Sequence, residues 1–137
     1  MIAAVCGWHE HHDPAEQEIA RRLRQAEPMV VAAPALVETY AVLTRLPAPH
    51  RLSPADALTL LEANFMQAGS IVALDGKSYR ALLRRAPDDG IAGGQIYDAV
   101  IAACALRIKG TTLLTFNASH FLAFSQRGLE IVVPGQA

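Results

Sequence analysis

Short apolar runs alternate with longer amphipathic stretches along the chain, and turn residues mark nearly every changeover. Met1 to Cys6 is continuously apolar and reads as the end of a buried strand. Asp13-Pro14 opens a helix, with Asp as N-cap and Pro at the first helical position, and Ile19, Leu23 and Ala26 line one face until Glu27-Pro28. Met29 to Ala33 has the length of a strand. Pro34 then suits the first turn of a second helix, which runs to about Leu46 and stops at Pro47 and Pro49. Ser53-Pro54-Ala55-Asp56 starts a third helix, with Ser53 as cap and Asp56 near the positive end of the helix dipole. Gly69 ends it.

The second half repeats the alternation. Ser70 to Leu74 is strand-like, and Asp75 caps a fourth helix carrying Tyr79, Leu82 and Leu83. A polar loop from Pro87 to Gly94 leads into a fifth helix, which Gly110 is expected to close after Lys109. Thr111 to Leu114 is the next strand, a short helical turn follows Asn117, and Leu129 to Val133 is the last strand before Pro134. Apolar strands separated by helices predict an α/β protein, a three-layer α/β/α sandwich with a mostly parallel central sheet.

Composition narrows the class. A chain of 137 residues is long enough for one domain with a substantial core and short for two, so residues 1–137 are expected to form a single domain. Hydrophobic residues make up 52% and charged ones 18%, which suits a well-buried globule, and no apolar run reaches the length of a membrane span. The apolar start lacks a basic leader, which points to the cytoplasm. Cys6 and Cys104 sit in apolar segments without metal-ligand spacing and are expected in the core. A net charge of −1 carries no basic footprint, so any RNA contact has to be local. Arg21, Arg22 and Arg24, and again Arg80, Arg84 and Arg85, are the two basic clusters; on amphipathic helices such runs usually form the solvated face.

Three residues carry candidate chemistry. Glu38 lies about one turn into the second helix among Leu36, Val37, Tyr40, Ala41 and Leu43; it is either a carboxylate at the rim of the core, held by a backbone donor or by Arg45, or a metal ligand. Asp98 opens a segment, Ala99 to Leu106, that is apolar on nearly every side. The helix dipole alone would explain an Asp there, yet the position also lies at the mouth of a buried helix. Asn117 follows an apolar strand, at the edge where ligands gather in α/β sheets, and its plainer explanation is a turn or N-cap. Helix N-termini and strand C-termini share one edge of such a sheet, so Asp98 and Asn117 are expected near one another. Hard cations such as Mg²⁺ or Mn²⁺ prefer oxygen ligands of this kind, and two ions roughly 3.5–4 Å apart can activate water and stabilise a leaving oxygen. That is nuclease chemistry. No nucleophilic serine, Walker loop or dinucleotide fingerprint competes with it.

Two other motifs carry less. His9, His11 and His12 with Glu10 and Asp13 resemble a zinc set by composition, but neighbouring residues on a short loop rarely converge on one tetrahedral ion. Gly93-Gly94-Gln95 matches the tripeptide of peptide release factors, and here it reads as a helix entry. A metal-dependent phosphatase on another α/β fold would want an Asp nucleophile after a first strand, and none is present.

The segments PALVETYAVLTRLP around Glu38, IYDAVIAACAL around Asp98 and TTLLTFNASHF around Asn117, in this order and in a chain this short, resemble a PIN-domain ribonuclease of the VapC toxin type. The resemblance covers nearly the whole chain. It implies a PIN-like fold, an endoribonuclease dependent on Mg²⁺ or Mn²⁺ and active on cellular RNA, inhibition by a VapB-type antitoxin, and homodimerisation. By that resemblance Glu38, Asp98 and Asn117 correspond to metal ligands or water positioners. The family's remaining acid belongs near the end of a first strand, just before the residues that here are Ile2-Ala3-Ala4-Val5, so the first strand reads as truncated at the N-terminus. A chain without that acid has a second reading, a catalytically impaired PIN-fold module that binds the antitoxin.

Overall fold

The computed structural model describes residues 1–136. They form two compact units, residues 1–71 and residues 72–136.

The first unit begins with a short helix, α1 (Ile2–Val5), followed by α2 (His12–Arg24), β1 (Val30–Ala32), α3 (Ala33–Arg45) and α4 (Pro54–Leu61). The opening residues are thus a helical turn and not the strand expected from their apolar run. A short apolar run does not by itself distinguish the two, and here the burial decides: Ala3 and Cys6, three apart on one helical face, are both buried. The turn is closed by Ala4 N–H to Met1 C=O at 3.0 Å and Cys6 N–H to Ile2 C=O at 3.0 Å. The next helix starts slightly earlier than Asp13-Pro14, with His11 as its cap residue and Asp13 in its first turn. His12 Nδ1 lies 2.8 Å from Ala3 C=O, a tie back to α1 that extends the helix beyond its sequence signal.

Two apolar clusters hold this unit. Leu43 and Ala57, both fully buried, meet Cys6, with Ile2, Val5, Leu46, Leu52 and Leu60 packed around them. Val31, Leu36, Leu61 and Phe65 form the other cluster, against Met1, Ala4, Val5 and Met29. Ser53 caps α4 as expected, its hydroxyl accepting the Asp56 N–H at 3.1 Å. A π-helical turn, Glu62–Met66, extends α4, and the chain then turns at Gly69. A Cβ at Gly69 would lie 2.5 Å from the Phe65 carbonyl oxygen and 2.8 Å from Val31 Cγ2, so only glycine passes there. Ser70 N–H then donates to Met29 C=O at 2.9 Å, which starts the pairing of β1 with β2 (Ser70–Val72).

The second unit contains α5 (Gly76–Arg85), α6 (Gln95–Leu106), β3 (Thr112–Leu114), a 3₁₀ turn (Ala118–His120), α7 (Leu122–Ser125) and β4 (Glu130–Val132). Asp75 caps α5 as its sequence predicts, accepting the Ser78 N–H at 2.8 Å. β3 pairs with β4 in parallel, Thr112 opposite Glu130 and Leu114 opposite Val132, so a crossover must join them, and the 3₁₀ turn and α7 are that crossover. α6 is the central element of the unit. Ala99, Ala102 and Ala105 repeat every three residues along it, and the small side chains admit Phe121, Phe124 and Leu129 into one buried cluster. Cys104 is buried on the same helix. Both cysteines are free and in the core, and burial pushes both thiols up from their ordinary pKa. α6 ends at Leu106, earlier than Gly110; 3₁₀-type bonds from Arg107 and Ile108 close it, and Gly110, at φ +78°, makes the turn into β3.

Candidate functional site

α6 and the end of β3 bring three side chains into one neighbourhood of the second unit. Gly94 is the cap position of α6 and Gln95 its first residue, with the Gln95 side chain accepting the Ala92 N–H at 3.3 Å; the Gly-Gly-Gln tripeptide is a helix entry. One turn in, Asp98 is set by its neighbours: Ala99 and Val100 are buried, which fixes the helix's rotation and leaves Asp98 part-exposed beside the protein surface. His120 Nδ1 lies 3.0 Å from Asp98 Oδ2. A carboxylate only accepts, so in this contact Nδ1 is the donor. This contact occupies one carboxylate oxygen and leaves Oδ1 without a protein partner among the described residues.

Asn117 stands where β3 hands over to the 3₁₀ turn. The strand ladder continues one residue beyond β3, Thr115 N–H donating to Val132 C=O at 3.1 Å. The Thr115 hydroxyl then accepts the Asn117 N–H at 3.0 Å, and the Asn117 carbonyl accepts the His120 N–H at 3.0 Å. The backbone of Asn117 is therefore fixed, and the same turn delivers His120 to Asp98. Asn117 occupies the cap position of this turn, but its side chain makes no capping hydrogen bond. The plainer explanation of an Asn here is thus not realised by its carboxamide, which is exposed and available as an oxygen donor.

His120 was not singled out from the sequence, although it lies within the TTLLTFNASHF segment. Nothing in the chain signals that a histidine three residues after Asn117 faces an acid on a helix that precedes the strand. The short helical turn after Asn117 is legible, but its three residues per turn and its path, which carry His120 to Asp98, are not.

Glu38 lies on α3 in the first unit, and its surroundings differ from expectation. The helix buries Leu36, Thr39 and Leu43, spaced for one face, while Val37, at 71% exposure, and Tyr40 share the solvent side with Glu38. The apolar neighbours in the sequence thus do not enclose this carboxylate, because Val37, Tyr40 and Ala41 are exposed. Glu38 forms no ion pair with Arg45 or any other residue among the described ones. The Met1 ammonium, whose pKa burial lowers, is near enough for the charges of Cys6 and then Glu38 to raise it in part.

The other candidate groups are committed elsewhere. His9 Nδ1 accepts the His11 N–H at 3.1 Å and His12 Nδ1 is at the Ala3 carbonyl, and no group of three or more His, Cys, Asp or Glu among the described residues is placed to hold a metal ion. Arg21 and Arg22 both bind Glu18, with closest contacts of 2.7 Å, and Arg22 also reaches Glu27 at 2.7 Å, so these two arginines of the basic cluster are paired within their own helix and the turn after it. The hydrogen bond from Arg21, with help from Arg22, lowers the Glu18 pKa to about 2 against the opposing effect of burial.

The PIN-domain family model matches residues 1–124. The chain belongs to the PIN-domain family. Its likeness to the VapC branch is broad: it is 36% identical over 131 residues to ribonuclease VapC40 of Mycobacterium tuberculosis, covering 96% of this chain and 91% of that protein. To ribonuclease VapC27 of the same species it is 32% identical over 131 residues, 96% of this chain and 82% of that protein. No solved structure matches it significantly. The α/β organisation with parallel strand pairing is that of a PIN domain, and none of the helices among the described residues is long and apolar enough to cross a membrane.

Proposed function

We propose that this PIN-domain protein is an endoribonuclease toxin that hydrolyses cellular RNA with the help of Mg²⁺ or Mn²⁺ and is neutralised by a cognate VapB-type antitoxin. The observation that carries the reading is the Asp98, Asn117 and His120 neighbourhood, in the context of relatives named as ribonucleases. Its donors suit a hard cation: one carboxylate oxygen and one carboxamide oxygen are without protein partners among the described residues. Mg²⁺ in particular keeps several waters and is held by one or two carboxylates together with substrate phosphates, so a three-residue protein cage is not required.

Asp98 and Asn117 would hold the ion, and the family resemblance gives Glu38 a ligand role as well. A bound divalent ion supplies activation of water and neutralisation of phosphodiester charge. His120 is a positioning residue. By holding Oδ2, its imidazole N–H orients the Asp98 carboxylate so that Oδ1 faces outward, as outer hydrogen bonds commonly orient ligating carboxylates. Residues 1–137 act in this reading as a single domain, and a homodimer follows the VapC pattern.

The test is cleavage of total RNA by the purified chain with Mg²⁺, with Mn²⁺ and with EDTA. Cleavage with either metal, abolished by EDTA and by Asp98→Ala, is the expected result; absence of cleavage with both metals overturns the reading. Co-expression with the product of the adjacent gene is expected to suppress the activity and to yield a co-purifying complex.

A further inference from the structure

The first unit carries an aromatic surface that the proposed hydrolysis does not use. Trp8, the single tryptophan of the chain, is 49% exposed, whereas tryptophan is ordinarily among the more buried side chains. Its indole stacks on the His50 ring with centroids 4.3 Å apart and planes inclined by 29°. His9 tilts against it at 5.9 Å, and His11 stands 5.6 Å from His9.

The turn that presents Trp8 is fixed on both sides. Cys6 is buried before it, His9 N–H donates to Cys6 C=O at 2.9 Å, and His12 N–H donates to His9 C=O at 2.9 Å. His12 Nδ1 at the Ala3 carbonyl ties the far end to α1. The loop bearing His50 is held in turn by His50 N–H to Pro47 C=O at 3.0 Å and by Leu52 N–H to Leu43 C=O at 3.1 Å. Two planar rings are therefore stacked in advance, so a ligand would lose little free energy in ordering them.

We propose that Trp8 and His50 form a stacking platform for a base of single-stranded RNA. The inference rests on the ribonuclease reading and adds a substrate-binding site to it. Every nucleobase has a π face, and stacking on an exposed aromatic ring is worth about 1–3 kcal/mol per base irrespective of sequence. The surroundings favour a nucleic acid over an apolar protein segment. Imidazoles flank Trp8, and Glu10 and the exposed Arg51 are their neighbours in the chain, polar groups that suit a nucleic acid better than an apolar anchor.

Because Trp8 is the sole tryptophan, intrinsic fluorescence reports this position alone. The probe is a 2′-O-methyl oligoribonucleotide of mixed sequence, which resists hydrolysis, titrated in EDTA so that cleavage plays no part. Saturable quenching is expected. Trp8→Leu is expected to weaken binding of a fluorescently labelled copy by about tenfold, within the range of that stacking energy. Trp8→Phe, which keeps a ring, should bind within about threefold of the parent, and circular dichroism confirms that each variant is folded. No quenching, or equal affinity in Trp8→Leu, overturns the platform. So does a fluorescence change that follows protein concentration without RNA, which would mark the surface as a self-association face. The two readings fail separately: RNA cleavage with unaltered oligonucleotide binding in Trp8→Leu refutes the platform alone, and quenching without cleavage in either metal refutes the ribonuclease alone.

Discussion

Asp98 and Glu38 are acids on helices of apolar sequence, and the structure treats them differently. Asp98 stands in the first turn of the most densely buried helix of its unit, and a histidine from the turn after β3 holds one of its oxygens. Glu38 lies on the solvent side of α3, between the exposed Val37 and the buried Thr39, whose hydroxyl instead donates to Ala35 C=O at 2.6 Å. No side chain among the described residues fixes its orientation. The difference teaches that an apolar sequence neighbourhood does not make an enclosed acid: enclosure depends on which face of the helix the neighbours occupy. A carboxylate oriented by a partner can present a defined oxygen to a cation, whereas a solvated one gains orientation only from what binds it.

The comparison can be broken most directly at the two acids. Asp98→Asn is expected to lower RNA cleavage by about a hundredfold or more, since several kcal/mol of charge stabilisation are at stake. Glu38→Gln is expected to cost about tenfold, with thermal stability within about 0.5 kcal/mol of the parent because the position is exposed. Equal losses in single-turnover rates would show that the solvated acid is as tightly engaged in catalysis as the supported one.

Next in size are the cores behind the acids. Leu43→Ala in the first unit and Leu129→Ala in the second each remove a fully buried side chain and should cost about 2–5 kcal/mol in urea unfolding. If both variants shift one common transition, the units unfold as a single domain; two separate transitions, each moved by one variant only, would refute the single-domain proposal.

His120→Ala sharpens the contrast further. It should weaken Mn²⁺ binding by about tenfold, measured by calorimetry, and raise the metal concentration needed for half-maximal cleavage. His120→Gln, whose amide N–H can also donate, should recover part of the loss. A variant with unchanged metal affinity would show that the Asp98–His120 contact is not part of the site.

The smallest effect belongs to α2. Glu18 is held at a folded pKa of about 2, below its ordinary 4.5, chiefly by its hydrogen bond from Arg21. A carboxylate with a depressed pKa stabilises the fold fully above about pH 4.5 and loses that contribution as the pH falls toward 2. Urea midpoints at pH 5 and pH 2.5 should therefore differ less in Glu18→Gln than in the parent, by the modest amount expected of a surface ion pair, about 0–1 kcal/mol.

The sequence by itself determined most of the element order. Ser53 and Asp75 announced their helices because capping is local chemistry, a side-chain oxygen reaching an N–H three residues on. The alternation of apolar runs announced an α/β chain, and three short segments with Glu38, Asp98 and Asn117 were enough to point to the family. Tertiary structure decided what depends on more distant neighbours. It made Met1 to Cys6 a helical turn, because burial of Ala3 and Cys6 outweighed an ambiguous apolar run. It also turned Glu38 toward solvent and set His120 against Asp98, since helix rotation and the path of a turn follow from packing that no local pattern encodes.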